Sequence, residues 1–150
     1  MHHRPESVVA LVEVLRKALE ERRYADFVDQ FADDGTYELP FALPGTPARY
    51  EGIAAIRARF DAIAQSPMTK LLDVQSVSAT VFQAADPNVV VVELSTQGHA
   101  RASGEPFFVA SSIAVIRCEN GRVKQYRDYP NTLGIAKAAG VLAQFARSLE

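Results

Sequence analysis

A single cysteine, Cys118, stands in the 150 residues of the chain. No internal disulfide can form, so the fold must hold by its core, and a reducing compartment is permitted. Within an apolar run, Cys118 reads as a small buried hydrophobe rather than a nucleophile. Histidine is almost as scarce: His2, His3 and His99 are the full complement, with no His-x-x-x-His, Cys-x-x-Cys or His-x-Glu spacing. A zinc site is therefore not expected. No apolar run approaches the roughly 20 residues that cross a bilayer. The opening "MHHRPESVVALVEVL" shows no clean apolar stretch ahead of a small-residue cleavage site, which makes a cytoplasmic location the expectation. Sixteen Lys and Arg against eighteen Asp and Glu leave a net charge of -2, without a basic run. That balance argues against nucleic acid or an anionic membrane as a partner. "GTPARYEG" lacks the glycine-lysine pair of a phosphate loop, and no Gly-x-Ser-x-Gly turn presents a serine nucleophile. No cofactor is expected.

What is present suits one globular domain over residues 1–150: 48% of the residues are apolar and 23% charged. A chain of this length can bury about 70% of its unfolded surface. "PESVVALVEVLRKALEER" sets Val8, Leu11, Val12, Leu15 and Leu19 at steps of three and four behind Ser7, which predicts a capped amphipathic helix. "YADFVDQFADDG" groups Phe27, Val28 and Phe31 and stops at Gly35, predicting a second helix and hence a helical hairpin. "TYELPF" reads as a short strand, and "ALPGTPARYEG" as a loop. "GIAAIRARFDAIAQ" places Ile53, Ile56, Phe60 and Ile63 on one face of a third helix that Ser66 and Pro67 close. Four runs rich in β-branched and aromatic residues follow, separated by "AADPN", "SGE" and "ENG", and predict an antiparallel meander. The tail from about 135 to 149 has helical spacing weakened by Gly134 and Gly140. Helices first and a sheet afterwards predict an α+β fold, with a hollow where a twisted sheet wraps over the helices.

The metal-poor, nucleophile-poor composition leaves carboxylate acid/base chemistry. In "NVVVVELSTQGHARAS" parity separates Val90, Val92, Leu94, Thr96 and Gly98 from Val91, Glu93, Ser95, Gln97 and His99, placing His99 on the polar face. The last run, "RVKQYRDY", does not split in this way. Parity alone leaves Asp128 open between an edge charge paired with Arg127 or Arg122 and an acid inside the hollow. Tyr37 is equally open between packing and a polar role.

Taken together, "YADFVDQFADDGTYELP", "YEGIAAIRARF" and "GRVKQYRDYPNTLG" resemble the SnoaL-like (polyketide cyclase-like) branch of the nuclear-transport-factor-2-like, ketosteroid-isomerase-like superfamily. The resemblance runs over about residues 8 to 135. It implies a cone-shaped, curved sheet enclosing a pocket, with the first and third helices as lid and wall, and a homodimer packed through sheet faces. The superfamily hosts cyclases, isomerases, epoxide hydrolases and pure binding proteins, so the fold alone does not specify an activity. The positions matching the isomerase branch's tyrosine, base and protonated aspartate are Leu15, Leu39 and Ile113, all aliphatic here. The limonene-type epoxide hydrolases match at Asp128 and near Tyr37, but their other aspartate and arginine fall near Thr96 and Leu94. The cyclases keep one aspartate, matching Asp128, beside an aromatic residue similar to Tyr126.

The resemblance thus implies that Asp128 is the general acid/base of a cofactor-free cyclisation or isomerisation, on a small hydrophobic ketone or polyketide-like molecule. Tyr37 and Tyr126 would hydrogen-bond the developing enolate. Phe41, Phe107, Val109 and Ile113 are expected to form the apolar wall, with Leu15, Leu39 and Phe60 also on the substrate side. Glu38 is an uncertain second acid, and Arg49 and Arg57 flank the expected mouth. Epoxide opening and ligand binding without chemistry are the alternatives.

Overall fold

In the computed structural model, which describes residues 7–150, helix α1 spans Val8–Glu20, and the Ser7 hydroxyl accepts a hydrogen bond from Ala10 N at 3.1 Å. Leu11, Val12, Leu15 and Ala18 form its buried stripe. The second helix is shorter than its apolar grouping predicts. Helix α2 covers only Tyr24–Val28, and the chain is already in strand β1 from Phe31 to Glu38. Phe27, Val28 and Phe31 are all buried, as expected, but Phe31 is buried from a strand. Asp33, Asp34, Gly35 and Thr36 are poor helix formers. Pairing with a neighbouring strand satisfies their segment better, beginning with Phe31 opposite Val123.

The expected loop after β1 contains a further short strand, β2 (Arg49–Glu51), paired antiparallel to β1. Helix α3 then runs Ile53–Gln65, and Pro67 starts a 3-10 turn over Pro67–Lys70. The meander follows as β3 (Leu72–Gln83), β4 (Val89–Ala100), β5 (Pro106–Glu119) and β6 (Arg122–Pro130). All six strands form one sheet in the order β2-β1-β6-β5-β4-β3, and β1 lies parallel to β6. Asp128 therefore sits on an interior strand and not at a sheet edge. The single helix expected at the C-terminus is broken in two, α4 (Thr132–Ala138) and α5 (Leu142–Ser148). Gly140 between them adopts φ +75°, a left-handed conformation that ends one helix and redirects the chain. No helix among the described residues is long and apolar enough to cross a membrane.

Three bulges set which side chains face inward. Each leaves one residue unpaired: Gln75 in β3, Ser111 in β5 and Lys124 in β6. A bulge reverses alternation beyond it, because the side-chain period in a strand is two. Gly98 makes the β3 bulge feasible, since a Cβ there would lie 1.9 Å from the Asp73 carbonyl oxygen. The outer edge of β3 is covered by α1. Arg16 Nη1 donates to the Val77 carbonyl at 2.8 Å, and Glu20 Oε1 accepts from Val77 N at 3.0 Å, so that edge residue exposes no unpaired backbone group.

The core lies between the sheet's concave face and the helices, and its centre is aromatic. The Phe27 ring centroid is 4.9 Å from Phe60, 5.4 Å from Tyr126 and 5.7 Å from Phe31. Phe27 thus ties α2 to α3, β1 and β6 at one point. Phe27→Ala should lower the unfolding free energy by about 3–5 kcal/mol through lost burial and an unfilled cavity, measured by urea denaturation. A loss below about 1 kcal/mol would show that this cluster is not a keystone of the fold.

Candidate functional site

The cone's open end holds a cavity of about 400 Å³, lined by residues that include Tyr37, Leu39, Arg59, Phe60, Phe107, Val109, Tyr126 and Asp128. Strand β6 brings Tyr126 and Asp128 to it because the bulge at Lys124 lets Val123, Tyr126 and then Asp128 all turn inward. The irregular pattern of that strand in the sequence has this cause. Parallel pairing sets Tyr37 of β1 opposite Tyr126. Their rings stack at 5.4 Å with planes 16° apart. The Tyr37 hydroxyl reaches past Tyr126 and donates a hydrogen bond to Asp128 Oδ2. Asp128 Oδ1 is sealed from solvent and has no hydrogen-bond partner.

Burial raises the Asp128 carboxyl above its ordinary value of 3.8, against the opposing pull of the Tyr37 hydrogen bond and the Arg59 charge. Desolvation disfavours the anion, and an unpartnered oxygen leaves it less stabilised than a fully bonded carboxylate. Burial, and then the Asp128 charge, raise both tyrosine hydroxyls well above their ordinary value. Both remain protonated donors at neutral pH. The neighbours proposed for Asp128 in an edge position are occupied elsewhere: Arg127 Nε lies 3.4 Å from Glu38, and Arg122 donates to the Asp29 carbonyl.

The expected wall residues divide. Leu39, Phe60, Phe107 and Val109 line the cavity. Ile113 does not: the Ser111 bulge reverses β5, so Ala114 is buried while Ile113 is 45% exposed on the outer face. Phe41 lies past the end of β1, 77% exposed, with its ring against Tyr129 at 5.2 Å. Leu15 is buried in the core under the sheet and is not among the cavity residues. Of the charges expected near the mouth, Arg57 pairs with Asp29 at 2.9 Å, and Arg49 pairs with Glu51 at 2.8 Å and Glu38 at 3.3 Å. Glu38 is held by Arg49, Arg127 and Gln125, and it does not line the cavity.

His99 keeps its outer-face position and lies away from the cavity. His2 and His3 lie outside the described residues. Among those described, no group of His, Cys, Asp and Glu is arranged to hold a metal ion. Burial pushes the Cys118 thiol up to about 11, leaving it unreactive at neutral pH.

Several lining residues are not anticipated above. Arg59 is the most informative, because a signal for it was present: Ile56, Arg59, Phe60 and Ile63 stand at i, i+3, i+4 and i+7, the inward face of α3. Ser111 and Ser112 reach the cavity through a bulge that leaves no mark in the sequence pattern. Ile135 of α4 and Ala139, which caps that helix, close a side that the tail's weak helical spacing did not assign.

A curved six-stranded sheet over helices, with an acid and two tyrosines at the base of its hollow, defines a cone-shaped α+β protein built around a ligand-sized cavity. Residues 11–126 match the SnoaL-like domain, and the chain belongs to that family, within the nuclear-transport-factor-2-like superfamily. YesE, an uncharacterised protein of Bacillus subtilis, is 36% identical over 132 residues, covering 85% of this chain and 86% of its own. The crystal structure of a candidate isomerase from Bacillus subtilis superposes with a TM-score of 0.73 at 30% identity, over 93% of this chain and 97% of that one. A candidate polyketide cyclase from Pseudomonas putida shares the fold, with a TM-score of 0.64 at 16% identity over 89% and 98% of the two chains.

The raised Asp128 pKa carries a sign that stability measurements can read. The folded state binds this proton more tightly than the unfolded state does. The group's contribution is therefore fully present below the ordinary carboxyl value of 3.8 and is lost as pH rises through the raised folded value. Asp128→Asn should accordingly have a higher Tm than the wild type at pH 7 to 8, with the difference shrinking as pH falls toward about 4. A difference that grows on acidification would mean that Asp128 is stabilised as the anion.

Proposed function

We propose that the protein is a cofactor-free enzyme that moves a proton on a small hydrophobic carbonyl compound, as in an isomerisation or an intramolecular aldol cyclisation, with Asp128 as the general acid/base. The observation that carries this reading is the half-satisfied carboxylate: Asp128 lines the cavity with Oδ2 secured by Tyr37 and Oδ1 unpartnered. A carboxylate destabilised by burial is a stronger base toward a carbon-bound proton next to a carbonyl, and it returns that proton without a second acid. Tyr37 is committed to Asp128, so its role is to orient the base. Tyr126, protonated and in the same cavity, is the donor for the developing enolate oxygen. Leu39, Phe60, Phe107 and Val109 supply the apolar surroundings that keep water from competing.

The epoxide-hydrolase alternative lacks its second carboxylate, because Thr96 stands where one would be expected and Asp128 is the single acid among the described residues that line the cavity. A homodimer belongs to the proposal. The outer sheet face carries Ile113 and Phe108, the latter 70% exposed, and an apolar pair of this kind suits cover by a second copy.

The test is deuterium exchange at the carbon beside the carbonyl of small cyclic ketones, followed by NMR in heavy water. Asp128→Asn keeps the size and the hydrogen bond to Tyr37 but removes the base, and should slow enzyme-dependent exchange by about 10²-fold or more. Equal exchange by both proteins would overturn the proposal. A ligand that binds tightly, returns unchanged and loses only affinity in Asp128→Asn would mark a binding protein instead. Tyr37→Phe removes an interaction that holds the Asp128 pKa down. Its exchange activity should need a higher pH for half-maximal rate than the wild type, whereas an unchanged pH profile would separate Tyr37 from the base.

A further inference from the structure

Arg59 is, with Arg22, one of two arginines among the described residues that line the cavity. It projects from the inward face of α3 and lines the cavity, and none of the ion pairs among the described residues includes it. Its guanidinium lies 5.0 Å from the Tyr50 ring centroid and 6.0 Å from that of Tyr37. Its one hydrogen bond is from Nη1 to the Tyr50 hydroxyl at 3.0 Å, and its Nε is sealed from solvent without a partner. A guanidinium half-buried against tyrosine rings loses hydration, and here its hydrogen bond goes to a neutral hydroxyl with no ion pair closed. The missing partner by charge and geometry is an anion, and the planar fork of a guanidinium matches a carboxylate.

We propose that the cavity's ligand is a small carboxylic acid that also carries a carbonyl, with Arg59 anchoring its carboxylate and Asp128 meeting the reacting end. This rests on the reading of the cavity as the ligand site and adds the substrate's charge to it. Tyr37 sets the spacing: its ring lies beside the Arg59 guanidinium, and its hydroxyl holds Asp128. The two charged groups are thus separated on the scale of one tyrosine side chain, which a compact keto acid spans within a cavity of about 400 Å³.

Several other polar groups of the cavity are already partnered. Thr96 Oγ1 donates to Ser111 Oγ at 2.9 Å, and Ser111 Oγ donates to the Leu94 carbonyl at 3.1 Å. The second cation at the cavity, Arg22, donates to the Leu72 carbonyl. The Arg22 charge acts on Asp73, which does not line the cavity, whereas the Arg59 charge acts on Asp128 inside it, so Arg59 is the cation placed to hold a ligand against that acid.

The test compares 4-oxocyclohexanecarboxylate with its methyl ester by isothermal titration calorimetry on the full chain. The two probes share shape and ketone and differ in charge. The wild type should bind the acid roughly ten-fold more tightly or better. Arg59→Met keeps the stem against Tyr50 and should bring acid and ester within about two-fold. Arg59→Lys keeps a charge without the fork and should retain part of the preference, which covers the case that Arg59→Met does not fold. Arg22→Met should keep the preference in full. Equal binding of acid and ester by the wild type, no detectable binding of the acid, or a preference that survives in Arg59→Met overturns the proposal, as does a preference lost in Arg22→Met instead. The same titration in Asp128→Asn separates the two readings. Acid preference there without proton exchange upholds the anchor whatever becomes of the general base, and exchange by a wild type indifferent to charge upholds the base alone.

Discussion

The parallel pairing of β1 with β6 is the constraint on which the cavity depends. It sets Tyr37 directly opposite Tyr126, so that two large rings stack and both side chains point to the concave face. From that register follow the hydrogen bond from Tyr37 to Asp128 and the approach of Phe60 to the Tyr37 ring, 5.3 Å between centroids at a near-perpendicular angle. Gly35 permits the approach of the strands. A Cβ at that position would meet the Val123 carbonyl oxygen at 2.9 Å, and the pairing would have to open. The same glycine therefore links a backbone contact to the placement of a carboxylate several residues away.

The cavity holds an electrostatic tension that a merely structural core would have removed. Asp128 is raised by burial and only half-bonded, while Arg59 is held by neutral tyrosines. Opposite charges in the same hollow that do not close into a salt bridge leave both available to a third group. Elsewhere among the described residues several charges close into ion pairs: Arg57 with Asp29, Arg117 with Asp86 and Arg16 with Glu13 and Glu20. Protein interiors ordinarily avoid unpaired polar groups because each one lowers stability. Two of the three such side-chain atoms among the described residues, Asp128 Oδ1 and Arg59 Nε, belong to this one cavity, which makes it the candidate site.

Much of this is legible in the sequence. The capped α1, the extent of α3 and the four strands of the meander follow from spacing, β-branched runs and turn residues, since these are local properties. The α+β class and the acid at Asp128 followed from their order along the chain and from the resemblance they carry. Phe107 and Val109 were found because they precede the β5 bulge, whereas Ile113 was misplaced because it follows it. The second helix was read too long because Phe27, Val28 and Phe31 fit a helical grouping, and only pairing with β6 shows that Phe31 belongs to a strand. Arg59 was visible at helical spacing, but its charge made it resemble a solvated residue.

What the sequence determined by itself is most of the elements and, through the resemblance they carry, Asp128 as the carboxylate to weigh, because periodicity, capping and residue chemistry are written locally. The tertiary structure decided which faces those residues present. Three extra residues, Gln75, Ser111 and Lys124, each reverse the alternation of a strand, and a bulge is chosen by pairing with a neighbour rather than by its own side chain. Whether Asp128 was an edge charge or an acid in a pocket depended on β1 lying along β6, a contact between residues about ninety positions apart, as in the Tyr37 to Asp128 bond. No pattern confined to one strand contains that information.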